Sequence, residues 1–346
     1  MHAIRVSRTG DPSVTQSCTI QQTNTTGDNR SDVQQSVNVG DAAATDVSQF
    51  ANVSQENGSG SNVSQLQQNI QQSSKDPDST GVQSQEGHQT ADVTQDSATG
   101  GNRSDLNQSL AQNATTHDGT DTLTQKQNAQ SFGPNSDAQV EQSSTLGRND
   151  SHLNQSNDLA MRSNKVGAVT QTQGSFNGGL NGHVDQSSPG LSLSSASQSE
   201  KQKMDADKTT SLSQTQFGPS FCCSVQQSNP QDQFTISQSS QQFADVGANQ
   251  LNTVVGNCDS SGNCSIDQRI QQGNTTTNNS CSGPSCHTGL LCSEGSCSPC
   301  GVDDSSCPSP PFECTECCEI SCDFLPGLRQ GSNTVLQRGL AVRLRR

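Results

Sequence analysis

The sequence predicts an all-β chain: a repetitive β-solenoid of stacked short strands, followed by a small cysteine-rich, loop-dominated module. Three observations carry this expectation. Aliphatic and glutamine residues alternate with polar residues at a spacing of two, Gly/Asn turn formers punctuate the alternation, and fourteen of the 15 cysteines lie beyond residue 221. The 346 residues are only 27% hydrophobic, with nine Phe and no Trp or Tyr. That is too little apolar surface for a large globular core, which argues against a conventional α/β enzyme. Order must then come from repeats sharing a narrow core or from cysteine staples.

The repeat is clearest in three segments. Residues 27–36, 100–109 and 147–156 all read Gly-x-Asn-x-Ser-x-aliphatic-x-Gln-Ser. The shorter aliphatic-x-Gln element recurs widely, as at Val14/Gln16, Val47/Gln49, Val53/Gln55, Val63/Gln65, Val93/Gln95, Val140/Gln142, Val184/Gln186, Val225/Gln227 and Ile266/Gln268. Its recurrence from Val47 to Val184 gives a unit of about 15 residues. Within a unit, Asn102, Ser104, Leu106, Gln108, Leu110 and Gln112 share one parity, while Arg103, Asp105, Asn107 and Ser109 hold the other. Alternate side chains of a strand face opposite ways, whereas on a helix these positions would scatter. Each unit therefore places aliphatics and Gln on one face. At Val63 the expected in-facing set Val63, Gln65, Gln67 and Asn69 slips out of phase with Ile70, which calls for a bulge or an early turn.

A lone buried amide is costly, but stacked coils change that. Each Gln amide can bond the Gln above and the Gln below at the ~4.8 Å strand spacing, so a ladder satisfies donor and acceptor together. A disordered Gln/Ser-rich spacer fits the composition too, yet disorder has no reason to hold parity through a dozen units.

The Gly-x-Asn-x-Ser-x-aliphatic-x-Gln pattern at period two resembles the curlin repeat of curli-type functional amyloid. The resemblance covers about residues 13–272. It implies a stacking ladder in which Asn29, Ser31, Val33 and Gln35, then Asn102, Ser104, Leu106 and Gln108, then Asn149, Ser151, Leu153 and Gln155 face inward. Val47 and Gln49 join this set by parity. The chain departs from the family in its irregular spacing, its few aromatics and its long cysteine-rich tail.

The sequence divides into an N-terminal stretch expected to lack structure (1–12), the repeat region (13–272, weak or broken near 187–211), a cysteine-rich module (273–323) and a basic tail (324–346). In the module, Cys281, Cys286, Cys292, Cys297, Cys300, Cys307, Cys314, Cys317, Cys318 and Cys322 are disulfide candidates, since a small coreless module needs staples. The Cys297-x2-Cys300 and Cys314-x2-Cys317 spacings keep a zinc site open as the alternative. Vicinal Cys222 and Cys223 are expected to reach separate partners or to bridge each other. An odd total leaves at least one thiol free or joined to another chain.

Other chemistry finds little support. Asp32, Asp46, Asp92 and Asp105 precede strands and read as solvated outward acids that oppose lateral aggregation, since the glycine-rich calcium nonapeptide is absent. His88, His117, His152 and His183 recur at near-regular spacing, but scattered outward positions explain them more simply than an edge-aligned metal site. No catalytic set, phosphate loop or cofactor motif stands out. No segment approaches the ~20 apolar residues of a membrane helix. The net charge of −15 disfavours nucleic acid.

The expected function is non-enzymatic and needs no cofactor. It is a self-assembling extracellular or cell-surface fibre, adhesive or biofilm-matrix component, with other copies as end-to-end partners and cell-surface polymers or surface proteins as further ones. The N-terminus lacks an apolar secretory segment, so the true start is expected to lie upstream or export to be unconventional. The alternative is a solenoid or disordered stalk that displays the cysteine-rich module.

Overall fold

The computed structural model describes residues 2–7, 13–40, 44–76, 82–116, 123–129, 138–163, 168–174, 181–206, 211–229, 231–244, 249–293 and 296–301. These residues are all-β. They form 18 strands, β1 to β18 in chain order, hydrogen-bonded into one continuous sheet system.

The chain alternates between two stacks of parallel strands. One stack holds β1 (His2–Ser7), β3 (Asn29–Gly40), β5 (Asn62–Asp76), β7 (Asn102–Thr116), β10 (Asn149–Ser163), β13 (Leu193–Ala206) and β15 (Gln233–Ala244). The other holds β2 (Ser13–Asn24), β4 (Ala44–Asn57), β6 (Val82–Ser97), the pairs β8 (Leu123–Ala129) with β9 (Ala138–Ser144) and β11 (Ala168–Gly174) with β12 (Asn181–Ser187), and β14 (Ser211–Gln227). β16 (Asn249–Gln272) pairs with both stacks, through β14 and β15. Two strands close the sequence of elements: β17 (Thr275–Ser293) runs antiparallel on β16, and β18 (Ser296–Gly301) antiparallel on β17. The result is a solenoid-like β fold.

The period-two pattern explains why these segments are strands. In β7 the burial alternates without a break from Asn102 to Thr116. Residues of one parity form columns running up the stack, and the columns make the core. One column is mostly large: Val33, Leu66, Leu106, Leu153, Ile236 and Ile266, with Ala196 the one small member, lie in consecutive register. The other stack supplies a small column, Ala51, Ala91, Ala138, Gly182, Cys223 and Gly256, whose Ala and Cys members lie in one hydrophobic cluster with the large column. The complementarity is steric. A Cβ on Gly182 would sit 2.5 Å from a methyl of Leu153, and one on Gly256 would sit 2.9 Å from Ile266. With little apolar mass per coil, a dry interior is reached by matching large residues to small ones.

Several expectations change here. The 15-residue unit is not the structural repeat. Successive rungs of one glutamine column are separated by 33, 40, 47, 43, 40 and 30 residues, so a coil is two strands and their connections. Each strand can carry two aliphatic-x-Gln elements, as β4 does with Val47/Gln49 and Val53/Gln55, which shortens the apparent period.

The slip expected at Val63 does not occur. Asn62, Ser64, Leu66, Gln68, Ile70 and Gln72 are buried, Gln65 is exposed, and β5 keeps one register with both neighbours. Val63 resembles an in-facing aliphatic only because Gln65 follows it. The stretch near 187–211 is also not broken over Leu193–Ala206, which pairs along its length with β10 and β15. Its in-facing row includes Ala196, Glu200 and Met204 rather than branched aliphatics, which hides the pattern. His2–Ser7, expected to lack structure, adds to β3 as a parallel strand. The described part of the cysteine-rich segment is strand rather than loop.

Candidate functional site

The feature that organises the molecule is a set of amide ladders with a direction. Gln35, Gln68, Gln108, Gln155, Gln198, Gln238 and Gln268 form one. In every rung the Nε2 of the later residue donates to the Oε1 of the earlier one, at 2.8–2.9 Å. In the other stack Gln22, Gln55, Gln95, Gln142, Gln186 and Gln227 form a second at 2.7–2.8 Å. The second amide proton is also used. Gln55, Gln95 and Gln142 donate across the core to the backbone oxygens of Val63, Arg103 and Asp150 at 3.0–3.1 Å. One side chain thus ties its coil to the coil before it and its stack to the facing stack. This makes burial of an amide tolerable.

An asparagine ladder stands at the start of β3, β5, β7 and β10. Asn29, Asn62, Asn102 and Asn149 are joined by Nδ2–Oδ1 hydrogen bonds of 2.9–3.0 Å. Asn62 is the member that the sequence reading passes over. Its signal is present, because Gly60-Ser61-Asn62-Val63-Ser64-Gln65-Leu66-Gln67-Gln68 matches the repeat through its Gln. All fourteen residues of the expected stacking set, Val47 and Gln49 included, are buried.

The glycine of Gly-x-Asn has a separate duty at the corner between stacks. A Cβ on Gly60 would meet the Gly27 carbonyl oxygen at 1.8 Å, one on Gly100 that of Gly60 at 2.1 Å, and one on Gly147 that of Gly100 at 2.0 Å. The corners therefore stack backbone on backbone, which only glycine allows. Ser97 and Ser144 complete the corner. The Ser97 hydroxyl donates to the Gly60 carbonyl and accepts from the Gly100 N–H, and Ser144 repeats this one coil later with Gly100 and Gly147.

Ladder direction determines what each end of the stack lacks. In the glutamine ladders the amide donors point toward the N-terminal coil and the acceptors toward the C-terminal one, whereas in the asparagine ladder Asn29, Asn62 and Asn102 each donate to the later residue. At the N-terminal end, β2 has no described strand on its outer side. Val14, Cys18, Ile20 and Gln22 are half-buried there, whereas Val47, Ala51, Val53 and Gln55 one coil in are buried. Gln16 accepts from Gln49 at 2.8 Å, yet its own buried Nε2 has no hydrogen-bond partner.

The C-terminal end is finished differently. β17 reverses direction and covers β16, placing Asn279 opposite Gln268. Asn279 Nδ2 donates to Gln268 Oε1 at 3.2 Å and to Thr288 Oγ1 at 2.6 Å, so the last acceptor of the ladder is used within the chain. Two disulfides, Cys258–Cys264 and Cys281–Cys286, flank the irregularity where β16 and β17 pass the corner together.

Of the other candidates, Cys281 and Cys286 are paired with each other. Cys258–Cys264 joins two cysteines outside the expected module. Cys223 is neither bridged to Cys222 nor otherwise disulfide-bonded. It is a buried free thiol in the small column, its pKa pushed up to about 12 by burial, and so unreactive. Cys18 is a half-buried free thiol at the open end. Cys292 falls on β17 and Cys297 and Cys300 on β18, and of these three only the backbone is described; Cys307, Cys314, Cys317, Cys318 and Cys322 lie outside the described residues, as does the basic tail. Of the alternative zinc set Cys297, Cys300, Cys314 and Cys317, the last two therefore lie outside the described residues.

Asp32 and Asp46 are exposed, and Asp92 and Asp105 half-buried, all on the outer face. Partial burial, with Glu141 nearby, raises the pKa of Asp92. The histidines do not line one edge. His152 belongs to β10 and bonds Ser195, His183 stands on β12 opposite Gln139 and Ser224, His88 is buried on β6, and His117 lies outside the described residues. Among the described residues no helix is long and apolar enough to cross a membrane. Comparison with protein-family models, curated proteins and solved structures finds no match.

Proposed function

We propose that the chain is a non-enzymatic structural protein, a curlin-like β-solenoid that works outside the cell and adds copies end to end, as a surface fibre or an adhesive matrix component. The observation that carries this reading is the β2 edge, which among the described residues has a strand on one side only. It offers a half-exposed row at Val14, Cys18, Ile20 and Gln22, and an orphan donor at Gln16. A further coil laid on this edge would bury that row as β4 is buried and give Gln16 an acceptor, so the edge favours strand addition.

Seeding tests the proposal. Fragmented assemblies are expected to shorten the lag of fresh full-length chain. Ile20→Lys, at the half-exposed head of its column, is expected to keep strand-type circular dichroism while abolishing seeded growth. A chain that stays monomeric at high concentration, with no response to seeds, would remove the fibre reading.

A second reading has its own observation. The antiparallel β17 and the two corner disulfides close the C-terminal end, which suits a monomeric stalk that presents its cysteine-rich segment to a partner. Monomeric rods whose partner binding maps to residues 273–323 would favour it.

A further inference from the structure

On the outer face of the stack that begins with β2, β4 and β6 run side by side with a 40-residue offset in register. This places Asp46 directly opposite Glu86, and Ser48 opposite His88. Alternation puts Asp46, Glu86 and His88 on the same outward side. Two carboxylates directly across a strand pair repel each other. His88 is out of character for an outward residue, because its side chain is only 10% exposed while that of Asp46 is 53% exposed. Its Nε2 lies 3.9 Å from Asp46 Oδ1. One ligand atom from each of the three residues lies within 4.8 Å of the other two, and among the described residues this is the one place where three such side chains converge.

We propose that Asp46, Glu86 and His88 bind a divalent first-row transition ion of the zinc type, bridging two successive coils. The donor set selects the ion class. One imidazole and two carboxylates suit Zn²⁺ and its neighbours, whereas Ca²⁺ takes six to eight oxygens. Bond lengths near 2.0–2.2 Å require the three donors to close by about 1 Å, within the reach of side-chain rotation for the exposed Asp46 and half-buried Glu86. The imidazole is the fixed member and the carboxylates the mobile ones. A fourth position opens to solvent on the Asp46 side.

The backbone beneath the site is held in place. Gly87, between Glu86 and His88, faces the core, where a Cβ would come 2.5 Å from a Leu110 methyl. Leu110 thus fills the space that a side chain at 87 would occupy, and seats β6 against the facing stack. The bound ion would place a cation between two stacked carboxylates and link strands far apart in sequence. It therefore acts as a stabiliser of the stack rather than as a catalyst.

The experiment uses the full chain with its disulfides intact and its reactive thiols alkylated, so that cysteine does not compete. Zn²⁺ is titrated by calorimetry and Co²⁺ by absorption. The expected result is one ion per chain, a cobalt d–d band without the thiolate charge-transfer band, and a rise in Tm with added Zn²⁺. His88→Ala and Asp46→Asn should each weaken binding by roughly tenfold or more and abolish the Tm response. Asp32→Asn, on an exposed acid elsewhere, should change neither. All three variants face outward, so unchanged circular dichroism controls for folding, and Glu86→Gln serves as a third ligand variant. Binding that survives His88→Ala undiminished, or no saturable binding in the wild type, overturns the assignment.

Discussion

The two ends of the stack obey different rules. At the N-terminal end, β2 lies parallel to its neighbour, shows a half-exposed apolar row, and leaves the Gln16 amide donor without a partner. At the C-terminal end, β17 turns back antiparallel, supplies Asn279 to the last ladder acceptor, and is stapled at the corner by disulfides. The contrast teaches that a ladder is self-sufficient only in its middle. Every interior glutamine amide has a coil on both sides, but the two ends of a glutamine ladder need opposite groups: an acceptor at the start, a donor at the finish. The chain itself provides the finish, and the described residues provide nothing for Gln16 at the start.

The largest expected effect breaks this contrast at its root. Gln108→Lys inserts a charge between Gln68 and Gln155 and is expected to cost about 3–5 kcal/mol or to abolish cooperative unfolding. The same change at half-buried Gln22, on the end strand, should cost no more than about 1 kcal/mol, and exposed Asn107→Lys should be near neutral. Chemical denaturation followed by circular dichroism separates them. Equal losses at Gln108 and Asn107 would refute the assignment of faces.

Gly100→Val tests the corner. Its side chain would enter the space of the Gly60 carbonyl, so a loss of about 2 kcal/mol or more is expected in the same measurement.

The cap is sharpened by replacing Cys258 and Cys264 together with Ser. The bridge closes a short loop of sequence separation 6, and its loss is expected to cost about 2 kcal/mol. Hydrogen exchange should rise first in β16 and β17 and leave β3 to β7 unaffected. Uniform loosening of the whole stack would mean that the cap is not a local device.

The smallest effect concerns the outer face. The pKa of Asp92 is raised by partial burial first and by Glu141 second. A carboxyl that holds its proton more tightly when folded opposes folding while ionised, and this opposition fades as pH falls through its raised folded pKa toward the unfolded value. Asp92→Asn is therefore expected to raise Tm slightly near neutral pH, by an amount that shrinks toward pH 4. A constant difference across that range would assign the effect to packing.

Much of this architecture was legible in the residues. The parity of Asn102 to Gln112 marks a strand, its buried face and the amides that must share it. Asn62 could have been read from Gly60 and the spacing that follows, but Val63 with Gln65 offered a competing aliphatic-x-Gln element on the wrong face. Only the neighbouring coils decide between the two, because in-register Asn29 and Asn102 bond Asn62 and leave Val63 outside. The coil length was hidden for a related reason. Connections of different length separate the rungs by 30 to 47 residues, and no local signal shows which strand will lie beside which.

The sequence by itself determined the local alternation, the choice of strand over helix, and the need for amides to ladder, since these follow from side-chain spacing and the cost of burying an unpaired polar group. The tertiary structure decided the pairing of large with small columns, the reversal of β17, the corner disulfides, and the meeting of Asp46, Glu86 and His88. Those relations join residues far apart in the chain, and the stack fixes them only when each coil settles into register on the one before it.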